Sequence, residues 1–189
     1  LDIISVTLPT YLHSEYTIKA LNAGINVFCE KPMALDIKSC QKMIDARRKN
    51  GKLLQIGHAV RFWPEYAKLK EIVDSKKYGK VLAAYFGRYC TLPTWTWDSW
   101  DTDVRRNGGA ILDLHIHDTD FVQYLFGAPE SVCSHGVIGP TGGVDHIFTS
   151  YNYGKDMAIM AEGSFLMKTG FSFNMCFNFE LEKASIHYD

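Results

Sequence analysis

The 189-residue chain has no run of about 20 apolar residues, so no stretch of it reads as a membrane-spanning helix. It has no Lys/Arg cluster either. Its 20 basic and 21 acidic residues are interspersed and leave a formal net charge of −1, which gives no electrostatic footprint for nucleic acid. Cys-x-x-Cys is missing. The five cysteines, at 29, 40, 90, 133 and 176, are widely spaced and odd in number, which favours reduced thiols in a cytoplasmic protein over a disulfide framework. There is no internal repeat, no low-complexity linker, no initiator Met and no signal-peptide pattern. The opening LDIISVTLPT reads as a strand already under way, so a piece in front of Leu1 is expected.

What is present is hydrophobic and patterned. Nearly half the residues are apolar, enough to pack one good-sized domain or two small ones. Residues 3–8 form a strand candidate that Pro9 ends, because proline has no N–H to donate. Thr10 is the expected N-cap of a helix carrying Leu12, Tyr16 and Ala20, and Gly24 is its stop. Residues 25–29 read as a strand buried on both faces. DIKSCQKMIDARRKNG is a second helix, capped by Asp36 and ended by Gly51, and KLLQIGHAVRF is a third strand candidate. This alternation implies βαβ units and a parallel sheet. Pro64 opens another helix, KVLAAYFGRYC is a strand, and a tryptophan-rich loop (Trp95, Trp97, Trp100) leads to a helix around Asp113. From Ser131 onward the chain reads as strands joined by short turns, an antiparallel sheet. The fold class is therefore α/β followed by α+β, with a boundary near residues 61–64.

Two segments concentrate chemistry. VFCEKPMA ends an apolar strand in Glu30 and Lys31, with Pro32 turning the chain, at the strand end where open α/β sheets bind ligands. By itself this reads equally as an exposed ion pair of little worth. Cys29, beside it, reads as an apolar filler or as a nucleophile. GGAILDLHIHDTDF, taken as a helix, sets Asp113, His117, Asp120 and Tyr124 on one polar stripe, with Asp118 intruding among the apolar residues opposite. That stripe is either a solvated face or a site. A carboxylate four residues from an imidazole can orient a histidine base and raise its proton affinity. Taken as a strand, the segment puts His115 and His117 on one face, a pair typical of metal-dependent hydrolases. That reading needs further ligands and a barrel of about 250 residues. On the helix, His115 reads as structural.

In combination the motifs are specific. VTLPTYLHSEYTIKALNAGINVFCEKPMA resembles the Gfo/Idh/MocA oxidoreductases, named for glucose–fructose oxidoreductase and inositol dehydrogenase. It shows a strand, a Thr-Pro-like turn, a helix with an early His, and a strand closing on Glu-Lys-Pro. GHAVRFWPEYAKLKEIV is similar to the stretch that follows in that family, and GGAILDLHIHDTDFVQYLFG to its glycine-rich catalytic helix. The resemblance covers essentially the whole chain, most strongly residues 5–127. It implies the C-terminal half of a Rossmann dinucleotide-binding domain (residues 1–62), then an α+β domain with a mostly antiparallel open sheet (residues 63–189). It implies NAD or NADP as cofactor and a sugar or polyol substrate. Residue by residue it implies Lys31, Asp113 and His117 as catalytic. Leu8, Pro9, Thr10, His13, Glu30 and Lys31 are implied around the cofactor, and Arg61 and Asp120 around the substrate. Trp97, in the aromatic loop, is a candidate sugar wall or a packing residue. Arg105 and Arg106 read as a solvated pair or as an anion site. A homo-oligomer through the C-terminal sheet is expected.

One departure stands out. No G-x-G-x-x-G is present, and GVIGPTGG lies among strands of the antiparallel type. The expectation is a fragment lacking the first βαβ portion and a tail, inactive alone. The alternative is a short non-catalytic oligomeric binding protein of the same fold.

Overall fold

The computed structural model describes residues 1–189. The first unit is a three-stranded parallel sheet. β1 (Ile3–Val6) pairs with β2 (Asn26–Glu30), which pairs with β3 (Leu54–Gly57), setting Val6 opposite Cys29 and Cys29 opposite Ile56. The intervening helices α1 (His13–Asn22) and α2 (Ile37–Asn50) pack together against one side of the sheet. Val27 and Cys29 point at them and join Leu21 and Met43 in a single apolar cluster. Phe28 and Glu30 face the other way and are half-buried, so β2 alternates instead of being buried on both faces.

The cap expected at Asp36 is present: the Ser39 N–H donates to its Oδ1 at 2.8 Å, and Gly51, at φ 60°, closes α2 in the left-handed conformation. The cap expected at Thr10 is not. Residues Thr10–Leu12 form a 3-10 turn that runs directly into α1, and the Thr10 side chain is buried beneath it.

After α3 (Pro64–Ser75), with Pro64 at its first turn, the chain enters β4 (Val81–Thr91). The aromatic loop and the short α4 (Val104–Asn107) follow, then a π-helical turn (Ile111–His115) that continues into α5 (Ile116–Phe126). Strands β5 (Ser131–Ile138), β6 (Val144–Asn152), β7 (Ala158–Met167), β8 (Asn174–Leu181) and β9 (Ala184–Tyr188) complete the chain. β9 is an addition to the strands read from sequence. The six-stranded sheet has the order β5-β6-β7-β4-β8-β9. β4 inserts into its middle, parallel to β7 and antiparallel to β8; every other pairing is antiparallel.

One face of this sheet is covered by α3 and α5. Ala84, Phe86, Ala161, Phe177 and Phe179 meet Tyr66, Leu69, Phe121 and Val122 there, with edge-on rings such as Tyr66–Phe121 at 4.9 Å between centroids. Arg88 also points inward and is 1% exposed. Its Nε and Nη2 each donate to Asp118 of α5 at 2.9 Å, and Nη2 donates to the Tyr66 hydroxyl at 3.1 Å. This buried fork ties α5 to the central strand and fixes the helix that bears the candidate site. The opposite face is open, with Leu82, Phe148 and Met160 exposed and with Tyr85 and Tyr89 both donating to Glu162.

Candidate active site

Lys31 stands at the carboxyl end of β2, followed by a cis bond to Pro32. The rim is held from below by His13. Its Nδ1 is 2.8 Å from the Pro32 carbonyl oxygen and its Nε2 2.7 Å from that of Leu8. One imidazole thus joins the end of β1 to the turn after Lys31. Thr10 and His13 are 2% and 1% exposed, so their side chains support the rim from inside. Leu8, Pro9 and Glu30 remain at the surface of the crevice. The Glu30 carboxylate makes no ion pair with the Lys31 ammonium; its Oε2 accepts the Lys31 backbone N–H at 3.2 Å. Cys29 is fully buried, and burial raises its thiol pKa, which makes it filler and not a nucleophile.

The second half of the site comes from the turn ahead of α5. Gly108 and Gly109, at φ 85° and 68°, admit the chain in a conformation that side chains disfavour, and a Cβ on Gly109 would approach the Val144 carbonyl oxygen to 3.1 Å. The widened π turn that follows presents Asp113 toward β2. Lys31 Nζ donates to Asp113 Oδ1 at 2.6 Å and to the Asp113 carbonyl oxygen at 2.7 Å. Lys31 and Asp113 are about four-fifths buried. His117, one turn on, looks into the same cavity of about 450 Å³.

Asp113 does not hydrogen-bond to His117, and this corrects the expectation that it orients the imidazole and raises its proton affinity. The Asp113 carboxylate is committed to Lys31. The His117 Nδ1 is buried without a partner. Burial, and then the positive charges of Lys31, Arg88 and His58, drive the His117 pKa down to about 2, so the ring is neutral. Because the segment is helical, His115 and His117 diverge, and the strand geometry required for a shared metal fails. His115 Nε2 lies 2.9 Å from Thr149 Oγ1 at the sheet, as its structural reading implies.

The other expected residues divide. Arg61 and Asp120 meet in a two-pronged pair at 2.7 and 2.5 Å, with the guanidinium 4.6 Å over the Tyr124 ring. His58, at the end of β3, sets its Nδ1 3.6 Å from Asp120, a neighbour that sequence reasoning overlooked. Trp97 is 74% exposed and does not line the cavity; Trp95 does. Asp98 and Ser99, at φ 54° and 44°, turn the chain sharply just after Trp97. Arg105 pairs with Asp103 in the open, while Arg106 crosses to the Tyr11 hydroxyl at 3.2 Å and to Asp98 at 3.0 Å.

Residues 1–58 match the family model for the Gfo/Idh/MocA oxidoreductase family, NAD-binding Rossmann fold, and residues 66–187 match the model for the C-terminal domain of the same family. A 2,7-anhydro-N-acetylneuraminate hydratase from Mediterraneibacter gnavus is 34% identical over 160 residues, covering 82% of this chain and 40% of that protein. D-glucoside 3-dehydrogenase of Escherichia coli is 35% identical over 138 residues, covering 71% of this chain and 39% of that protein. The chain spans about two fifths of the length of these relatives. Among solved structures, a levoglucosan dehydrogenase in complex with NADH and levoglucosan superposes with a TM-score of 0.88, at 21% identity, over all of this chain and 54% of that one. With both family models matched in order along its length, this chain belongs to the Gfo/Idh/MocA oxidoreductase family.

Proposed function

We propose that this chain supplies the catalytic cleft of a nicotinamide-dependent oxidoreductase that interconverts a sugar or polyol carbinol and its carbonyl. The observation that supports it most is the convergence of Lys31, Asp113 and a neutral His117 on one cavity, from two units of the chain. His117 takes the proton of the carbinol O–H on its imidazole, which its neutral state permits. Lys31, held by Asp113, hydrogen-bonds the same oxygen and stabilises the negative charge that grows there. Asp113 offsets the lysine charge and fixes its position. A nicotinamide held beside Leu8, Pro9 and Glu30 would supply the acceptor for the hydride of the carbinol carbon. In the reverse direction His117 returns the proton.

The crevice fits the nicotinamide end of such a cofactor. Leu8 is 37% exposed, Pro9 and Glu30 are half-buried, and only one oxygen of Glu30 is engaged by the protein. A pyrophosphate calls for a strand-to-helix turn of the G-x-G-x-x-G type, and these 189 residues do not contain that motif. NAD and NADP are equally compatible with these groups. Arg61 and Asp120 are proposed to orient the substrate polyol from the end of α5. The open face of the six-stranded sheet is proposed to pair with a second copy, and the reduced thiols favour the cytoplasm.

The test is a substrate screen with NAD and NADP on a polypeptide that includes a pyrophosphate-binding turn. Reduction of the cofactor by a sugar or polyol, abolished in Lys31→Ala and His117→Ala while the circular dichroism spectrum is kept, supports the reading. Unchanged turnover in either variant overturns it.

A further inference from the structure

Beyond the cavity that holds Lys31, Asp113 and His117 the groove continues. Thr91, the last residue of β4, lines that cavity and also a second one of about 450 Å³. A bulge opens the strands here: Thr91 stands opposite both Leu166 and Met167, so the ends of β4 and β7 part. Leu92 and Met167 give the second cavity apolar walls, and Thr91, Thr94 and Thr169 bring hydroxyls to it. Its one ionisable group is Lys168, exposed at the rim. The Lys168 carbonyl oxygen accepts the Phe171 N–H at 3.0 Å, with Gly170 at φ 93°, so a tight turn after β7 fixes the backbone that carries this lysine. None of the ion pairs of the chain includes Lys168. In the first cavity Lys31 and Asp113 are the only charged side chains, and they neutralise each other. Across the two adjoining cavities one positive charge is left without a partner.

Resting on the oxidoreductase reading, we propose that Lys168 is a specificity-determining residue that anchors an anionic substituent, a carboxylate or a phosphate, on the sugar whose carbinol reacts at His117. The ammonium supplies the charge, and the threonine hydroxyls supply neutral donors to the remaining oxygens. Lys168 lies three residues beyond Phe165, which lines the first cavity. That is about 10 Å of extended chain, so the anion belongs to a substituent outside the reacting ring. A lysine on an open turn ordinarily leaves its charge to water. This one borders a groove whose other cation is already paired and which holds no free carboxylate, so its field lies along the path to the reacting carbon. A neutral sugar leaves that charge unused.

The experiment uses the polypeptide that includes a pyrophosphate-binding turn, unsubstituted and as Lys168→Gln, Lys168→Arg and Lys168→Glu. The probes are glucuronate, glucose 6-phosphate and the neutral methyl glucoside. Equilibrium binding of each is measured by calorimetry at low and high salt, beside turnover. The expected result is that at least one acid binds more tightly than methyl glucoside, and that Lys168→Gln lowers the ratio of acid to neutral affinity by about 10–100-fold. Lys168→Arg keeps most of that ratio, and Lys168→Glu inverts it. Added salt weakens acid binding to the unsubstituted protein far more than to Lys168→Gln. A ratio that falls for glucuronate alone names a carboxylate as the ligand; one that falls for glucose 6-phosphate alone names a phosphate. Methyl glucoside bound as tightly as both acids, no binding of either acid, or a ratio that Lys168→Gln leaves in place overturns the proposal. Binding decides this even where no probe is turned over. Loss of the oxidoreductase reading itself shows separately, as turnover indifferent to Lys31→Ala.

Discussion

Lys31 is bound twice by one residue 82 positions away: its ammonium reaches both the Asp113 carboxylate, at 2.6 Å, and the Asp113 carbonyl oxygen, at 2.7 Å. The contact joins the end of β2 to the turn ahead of α5. It keeps a cation in place beneath an apolar cavity, and it removes the carboxylate from the reach of His117. On the proposed mechanism the ion pair positions Lys31 and leaves the imidazole beside it as an uncharged acceptor.

Asp113→Asn keeps the backbone carbonyl contact and loses the charge. Turnover is expected to fall by about 10–100-fold, less than in Lys31→Ala, where loss of the donor to the reacting oxygen costs about 10²–10³-fold. Steady-state kinetics of the two variants side by side checks the order. Equal activity of Asp113→Asn and the unsubstituted protein would remove Asp113 from the mechanism.

Because the His117 pKa is driven down to about 2, its proton-accepting form persists far below the usual histidine range. The profile of kcat/KM against pH is expected to show no acid limb near pH 6.5 from this residue. His117→Gln is expected to lower kcat by about 10²–10⁴-fold without shifting the remaining profile. A limb near pH 6.5 that vanishes in His117→Gln would mean that the imidazole is charged in the folded protein.

The same depression makes stability depend on pH. Burial pushes the pKa of both His115 and His117 below the value each has when unfolded, and for His117 so far that only the unfolded chain gains its proton as pH falls through about 6.5. The unfolded state then binds more protons than the folded one, and stability rises with pH across this window. His117 adds a slope of up to about 1.4 kcal/mol per pH unit below pH 6.5, and His115 acts in the same direction. Urea unfolding between pH 5 and pH 7.5 measures it, and His117→Gln should flatten the curve; a curve already flat in the unsubstituted protein would contradict the assignment.

Arg88 and Asp118 are 1% and 0% exposed, so removing one partner strands a buried charge. Arg88→Met or Asp118→Asn is expected to cost about 3–5 kcal/mol, measured by chemical denaturation. The double variant Arg88→Met with Asp118→Leu should recover much of the loss. Additive losses would show that the pair is not coupled.

The parallel unit was legible because its signals are local. Asp36 and Gly51 bound α2 by capping chemistry, and Pro64 opens α3. Lys31, Asp113 and His117, which line one cavity, were legible as an ordered set of motifs, but their pairing was not. Helical spacing sets Asp113 beside His117, whereas the partner of Asp113 is Lys31, which only the meeting of two units brings near. The place of His13 and Thr10 beside the rim was legible in the sequence, but their burial was not, because it is set by the turn above them. Arg88 was hidden in KVLAAYFGRYC as an ordinary strand charge. Its inward alternation with Ala84 and Phe86, and the stray Asp118 among apolar helix positions, were the signal available. Trp95 and Trp97 differ by two residues, and no local rule chooses between them, because the turn at Asp98 and Ser99 is a backbone irregularity.

The most direct measurement is single-turnover hydride transfer, followed by nicotinamide absorbance, in the cofactor-loaded polypeptide that includes a pyrophosphate-binding turn, with a sugar or polyol deuterated at the reacting carbon. A slower transfer from the deuterated substrate, and a rate reduced by about 10²-fold or more in Lys31→Ala and His117→Ala with cofactor still bound, is the result predicted. Transfer at an unchanged rate in either variant would contradict the assignment of this cleft as the site of chemistry.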